Sequence, residues 1–201
     1  EDARGWAEQF SFSEALLASP YAAVTRAQAA QLLYEAAGRP AVSGDSPFTD
    51  VPADYADAAS WAAEQGYIQG VGDGRFLPDS LVTRQEFAAM LYRRAGEPAV
   101  TGNELQSYVD TATVPGWAEN ALLWSNKTGI ISGKSTDHLA PVDTIVVAEA
   151  VLILQRAALL PDTAVLMQDL ETLTAQHRPI GSTGEQAAAQ YLQSRFAEMG
   201  Y

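Results

Sequence analysis

Two short strings place an arginine directly after a helix-capping residue. Val24-Thr25-Arg26-Ala27-Gln28 and Val82-Thr83-Arg84-Gln85-Glu86 each follow a proline at the same interval, Pro20 and Pro78. A Thr followed three residues later by Gln or Glu is a capping box, so Arg26 and Arg84 each stand at the first position of a helix. Free backbone N–H groups and the helix dipole favour an anion there, and a guanidinium offers a planar fork to a carboxylate. Arg84 is read as a ligand group in preference to a salt bridge with an acidic neighbour, because the motif recurs. Other chemistry is thinly provided for. The only histidines, His138 and His177, are far apart and lack ligand spacing. No Ser/His/Asp arrangement and no P-loop stands out, and Gly72-Asp73-Gly74 has too few carboxylates for an EF-hand. The expectation is a chain that is not an enzyme, with no catalytic residues, no metal site and no cofactor.

Composition narrows the partners. Formal net charge is −13, from 25 acidic and 12 basic side chains, and repels nucleic acid and anionic lipid. An anionic ligand must therefore be held by a few placed arginines, at about 1.5–3 kcal/mol for each charge-assisted contact. Hydrophobic residues make up 47% of the 201, enough for a core, but no apolar run is long enough to span a bilayer. Membrane insertion is not expected. The chain does not open on a signal-peptide pattern, so any export signal is expected to be gone already. Cysteine is absent, which removes disulfides and fits an exposed bacterial surface.

The elements that position the arginines recur. Phe48-Thr49-Asp50-Val51-Pro52 opens a unit that continues through Trp61-Ala62, Gly66-Tyr67-Ile68-Gln69-Gly70, Phe76-Leu77-Pro78 and the Thr83 cap, closing on Met90 to Gly96. Tyr108-Val109-Asp110 restarts it, with Trp117-Ala118, Trp124, Gly129-Ile130-Ile131-Ser132-Gly133 and Leu139-Ala140-Pro141. Upstream, the first copy keeps its second half through Gly38, with its opening eroded or missing. Each unit reads as helix, loop, helix. Pro52 and Asp54 open a helix with Ala58, Trp61, Ala62 and Gln65 on one face, and Gly66 ends it. The Gly70 to Gly74 segment is a turn, and Gly96 before Pro98 stops the second helix. The third copy departs: Thr144 is followed by Ile145 where Arg is expected, Val147 replaces the capping Glu, and the loop after Pro141 reads as two residues shorter than that after Pro78. Its groove is expected to be degenerate, with Lys134 a nearby charge. Such units share a core, so the fold class is all-α: three helix-loop-helix repeats, 1–42, 43–101 and 102–160, in a helical bundle.

Phe-x-Asp-Val, Trp-Ala, Gly-Tyr-Ile-x-Gly, Gly-Arg-Phe-x-Pro and Val-Thr-Arg-x-Glu, in that order, resemble the S-layer homology domain, and the resemblance runs to Arg156. It implies a pseudo-threefold bundle of three repeats and non-covalent anchoring at the extracellular bacterial cell wall. The implied partner is a cell-wall polysaccharide, a polymer bearing pyruvate-ketal groups. In the family the groove draws on the Thr-Arg motif, the opening Asp and the loop glycines. By motif match these are Arg26 and Arg84, Asp50 and Asp110, and Gly70 and Gly133. Asp50 reads equally as a turn-capping acceptor, and the two glycines are first of all turn residues. Trp61 is carried as a stacking face for the sugar, although core packing is the favoured reading for Trp61, Trp117 and Trp124.

After Pro161 the pattern changes. Residues 162–174 read as a helix, His177 to Ser182 as a loop, and Ser182 with Glu185 as a capping box before an apolar stripe of Ala188, Tyr191, Leu192, Phe196 and Met199. The string from Leu173 through His177-Arg178-Pro179-Ile180-Gly181-Ser182 to Glu198-Met199-Gly200-Tyr201 is similar to the start of an M28-type zinc aminopeptidase domain. Residues 161–201 are thus expected to begin a truncated peptidase-like domain whose metal ligands lie downstream. The stripe is expected to pair with a second chain. The alternative to a wall anchor is a pro-segment or scaffold of a secreted M28-type metallopeptidase.

Overall fold

Residues 12–43 and 46–158, with Gly5, Ala7, Glu8 and Gln190 besides, are described by a computed structural model. The chain divides into two compact units, Glu1–Leu159 and Leu160–Tyr201. The helices and apolar stripe expected after Pro161 lie outside the described residues.

Among the described residues the regular structure is helical, with no strand beyond isolated bridges. A short α1 (Glu14–Leu17) precedes α2 (Arg26–Ala36), α3 (Ala56–Glu64), α4 (Arg84–Arg94), α5 (Gly116–Lys127) and α6 (Val147–Ala158). No described helix is long and apolar enough to cross a membrane.

The expected caps are present. Thr25 and Thr83 each close a full capping box, with Gln28 and Glu86, at the starts of α2 and α4. Both helices end at a left-handed glycine, Gly38 and Gly96, each at φ +78°. The tyrosines Tyr34 and Tyr92 then fasten the exit, their hydroxyls donating to the carbonyls of Pro40 and Pro98 at 2.9 Å. Helix α3 begins with a 3-10 turn over Ala53–Tyr55, buries Ala58 to Ala62, and ends at Gly66. Gln65, expected on its buried face, is exposed, because the helix has already closed at Glu64.

The residues preceding α2, α4 and α6 are joined in a cycle. Val24 N–H donates to Ile145, Ile145 N–H to Val82 and Val82 N–H to Val24, each at 2.9 Å. All three side chains are fully buried, at about 1.5–3 kcal/mol apiece, so apolar packing and hydrogen bonding fix one register together. The cycle continues outward. The first two N–H groups of α2 go to the carbonyls of Ser80 and Pro78, those of α4 to Asp143 and Pro141, and those of α6 to Ala22 and Pro20. Each proline turn thus satisfies the otherwise orphaned donors of another repeat's helix. Those N–H groups were expected to favour an anion; they are already spent on the fold.

The same bonds correct the alignment of the third repeat. Thr83 bridges to Thr144 and Ala23 to Val146, and Ile145 stands in the ring beside Val24 and Val82. Val146 therefore occupies the cap position, Val147 the position of Arg26 and Arg84, and Glu149 that of Gln28 and Glu86. Pro141 precedes Val146 by the interval that separates Pro78 from Thr83, so the loop is not shorter. The expectation that Thr144 takes the cap position equivalent to Thr83 rested on residue type, whereas burial set the register.

Between repeats, α2 packs on α3 and α4 on α5. Tyr34 meets Trp61 with ring centroids 5.6 Å apart, and Tyr92 meets Trp124 at 5.7 Å. Trp124 is thus the counterpart of Trp61, lying as far before Gly129 as Trp61 lies before Gly66.

Candidate functional site

The opening aspartates hold loops. Asp50 accepts from the N–H groups of Phe76 and Leu77 at 2.8 and 2.9 Å, one on each carboxylate oxygen. Asp110 does the same for Leu139 and Ala140 at 2.9 and 2.7 Å. Desolvation pushes both carboxyls up, but the backbone donors, joined by Arg75 near Asp50 and His138 near Asp110, outweigh it and leave them below the ordinary aspartate range. The residues so held, Leu77 and Ala140, have φ of +58° and +56°, a conformation that side chains disfavour. The turn-capping reading of Asp50 accounts for these contacts.

Gly70 and Gly133 stand where the loops approach those openings. A Cβ on Gly70 would lie 2.7 Å from the Phe48 ring and 3.0 Å from the Arg75 carbonyl oxygen. On Gly133 it would lie 2.7 Å from the Tyr108 ring and 2.8 Å from the His138 carbonyl oxygen. Both glycines are required by packing. Trp61 is buried, 6% exposed, against Tyr34 and Tyr67. That is core packing, and it leaves no open face for a sugar.

The two arginines each cross to the following repeat. Arg26 donates from Nε to the Phe76 carbonyl at 2.9 Å and from Nη2 to the Gln69 carbonyl at 2.8 Å. Its guanidinium also lies 4.9 Å from the centroid of the Phe76 ring. Arg84 repeats the pattern with Leu139 at 3.2 Å and Ser132 at 2.7 Å. It differs in its third partner. Nη1 of Arg84 forms an ion pair with the Glu149 carboxylate, and the residue is 3% exposed. Arg26 is half-buried and its guanidinium makes no ion pair with a described carboxylate. Lys134, the other nearby charge, pairs with Asp143 at 2.9 Å on the surface.

Around Arg26 lies a groove of about 230 Å³, lined by Arg26, Ile68, Gln69, Glu86, Ala89, Met90, Arg93 and Trp117. Two guanidiniums, a carboxylate, an amide and an indole thus share one open site, a donor set suited to an anion with hydroxyls and an apolar face. Sequence reasoning found Arg26 and missed the rest. Arg93 had a signal: it and Arg156 recur at matching places, donating to the Tyr67 carbonyl at 3.2 Å and the Ile130 carbonyl at 3.3 Å. Trp117 was expected in the core as the repeat counterpart of Trp61. It is 54% exposed, because Trp124 takes the core place. The structure brings Arg26 to the groove with Trp117, and leaves Arg84, Asp50, Asp110, Gly70, Gly133 and Trp61 outside its lining.

Residues 47–88, which include the loop and helix start beside this groove, match the S-layer homology domain. The chain is similar to the Surface-layer 125 kDa protein of Lysinibacillus sphaericus, 32% identical over 124 residues, covering 59% of this chain and 10% of that protein. It resembles Cell surface glycoprotein 1 of Acetivibrio thermocellus at 29% identity, covering 67% of this chain and 6% of the other. An endoglucanase from a Bacillus species is 28% identical, over 61% of this chain and 13% of its own length. The chain spans only a small part of each relative. The domain match and the surface relatives support a cell-surface, cell-wall location.

Proposed function

We propose that this chain, which carries an S-layer homology domain at residues 47–88, is a non-catalytic anchor that holds a surface protein to an acidic cell-wall polysaccharide. The groove of Arg26, Arg93 and Trp117 is its grip. A pyruvate ketal on a sugar presents a carboxylate beside an apolar ring face. Arg26 and Arg93 meet the carboxylate with charge-assisted hydrogen bonds, Trp117 covers the ring face, and Gln69 and Glu86 take hydroxyls. The observation that carries this reading is the gathering of two guanidiniums and an exposed indole in one groove of a chain whose net charge is −13. A field of that sign repels anions in general, so the pair of arginines has a local purpose. The two charge-assisted contacts together supply about 3–6 kcal/mol against it.

The wider architecture follows the same reading. Three repeats, 1–42, 43–101 and 102–160, form a pseudo-threefold bundle, and the closed cycle through Val24, Val82 and Ile145 supports it. Residues 161–201 begin an M28-type zinc aminopeptidase domain, on the support of the string from Leu173 to Ser182. The apolar stripe of Ala188, Leu192, Phe196 and Met199 pairs two chains, a point for light scattering of the whole chain beside one ending at Ala158.

The test of the anchor is sedimentation with purified cell walls whose polymer bears pyruvate ketals. The chain co-sediments with untreated walls and stays in solution after the ketal is removed. Equal retention on both, or on neither, sinks the reading.

A further inference from the structure

The two crossing arginines are alike in sequence and unlike in their partners, and the difference traces to one cap. At the start of α4, the Glu86 carboxylate is fastened by Thr83: its Oε2 accepts from the Thr83 N–H at 2.7 Å and from the Thr83 hydroxyl at 2.8 Å. A carboxylate so occupied is held to its own helix start, and Arg26 is left without an ion pair to it. At the start of α6 the cap position is Val146, which has no hydroxyl to offer. Glu149, in the place of Glu86, instead gives its carboxylate to Nη1 of Arg84. The backbone contacts of the two arginines are otherwise matched, Gln69 and Phe76 for one, Ser132 and Leu139 for the other.

We propose that Glu149 is a built-in occupant of the second arginine site, and that it sets the number of acidic-glycan sites on the chain at one. The inference rests on the reading of the Arg26 groove as the glycan site. A carboxylate on Arg84 is the same chemistry that a ketal carboxylate would bring, but it is tethered at short range. A soluble ligand competes against that tethered group at its high effective concentration. Displacing it would also leave Glu149, itself largely covered, short of a partner. The Thr83 hydroxyl does the opposite for the first site: it ties Glu86 Oε2 to the helix start, so Glu86 lines the groove and acts on Arg26 through space without closing a direct ion pair. Thr83 and Val146 thus decide which arginine faces a ligand and which one clamps the third repeat.

Calorimetry of the whole chain with an oligosaccharide of the pyruvylated wall polymer reads the number of sites directly. The wild-type chain binds one oligosaccharide. Glu149→Ala binds two, and Glu149→Gln, which keeps the shape and drops the charge, shifts in the same direction. Thr83→Val removes the hydroxyl half of the clamp on Glu86, lets that carboxylate turn toward Arg26 and weakens the first site on the order of tenfold, the loss of one charge-assisted contact. Melting curves confirm that each variant is folded, and the proposal is judged on whichever Glu149 variant folds. Two sites in the wild-type chain, or a single site in the folded Glu149 variant, overturn the proposal. A wild-type chain that binds no oligosaccharide overturns the groove reading itself, and the occupancy of Arg84 then has only the structural meaning of a clamp.

Discussion

Substituting alanine for Trp61 and, separately, for Trp117 distinguishes a core tryptophan from a binding one within a single fold. Trp61 is 6% exposed and wedged between Tyr34 and Tyr67, at centroid distances of 5.6 and 5.4 Å. Removing a buried indole forfeits its transfer free energy and leaves a cavity, together about 3–5 kcal/mol. Against a typical stability of about 5–15 kcal/mol that is a large share. For a chain of this length it lowers the melting temperature by roughly 6–20 °C. Trp117 is 54% exposed, so its removal changes stability by no more than about 0.5 kcal/mol. What it removes is an aromatic face in the groove, worth about 0.5–1.5 kcal/mol to a stacked ring, or about two- to tenfold in affinity. Differential scanning calorimetry and titration with wall oligosaccharide give the two numbers on the same samples. The reasoning fails if Trp117→Ala melts as low as Trp61→Ala, or if it binds as tightly as wild type.

Gly70→Ala forces a Cβ to within 2.7 Å of the Phe48 ring and 3.0 Å of the Arg75 backbone oxygen; overpacking of this kind costs about 1–3 kcal/mol in a chemical denaturation curve. Thr25→Ala removes the cap of α2 and costs about 1 kcal/mol in the same assay. Asp50 and Asp110 both titrate below the ordinary range in the folded state, so their stabilisation is present above the unfolded-state value, about 3.9. It is lost as pH falls through the depressed folded values. The melting temperature therefore drops at acid pH, and the Asp50→Asn, Asp110→Asn double variant flattens that limb of a pH series.

Much of the fold is written locally. Thr25 with Gln28, Thr83 with Glu86, and Gly66, Gly38 and Gly96 announce where helices begin and end, because capping and left-handed backbone depend on residues only a few positions apart. The third repeat was legible only in part. Its register depends on which residue enters the ring with Val24 and Val82, and Ile145 does so by burial, a tertiary fact that the hydroxyl of Thr144 obscured. The site was less legible still. Arg26 follows from its motif, yet Arg84 carries the same motif and is consumed by Glu149, from the start of α6 in the following repeat. Trp117 and Arg93 reach the groove from different repeats, and no local spacing joins them. Trp61 and Trp117 share the Trp-Ala string but have opposite burial, since Trp124, about two turns further along α5, fills the core place.

The central claim is that an acidic sugar binds in the groove of Arg26, Arg93 and Trp117, and the indole resonances test it most directly. Trp61 and Trp124 are buried in equivalent inter-repeat contacts, while Trp117 opens to the groove. Titrating isotope-labelled chain with pyruvylated wall oligosaccharide is expected to shift the Trp117 indole N–H and leave those of Trp61 and Trp124 in place. The same titration with oligosaccharide stripped of its ketal is expected to move none of them. A ligand that binds without moving Trp117, or that moves it equally with and without the ketal, contradicts the assignment.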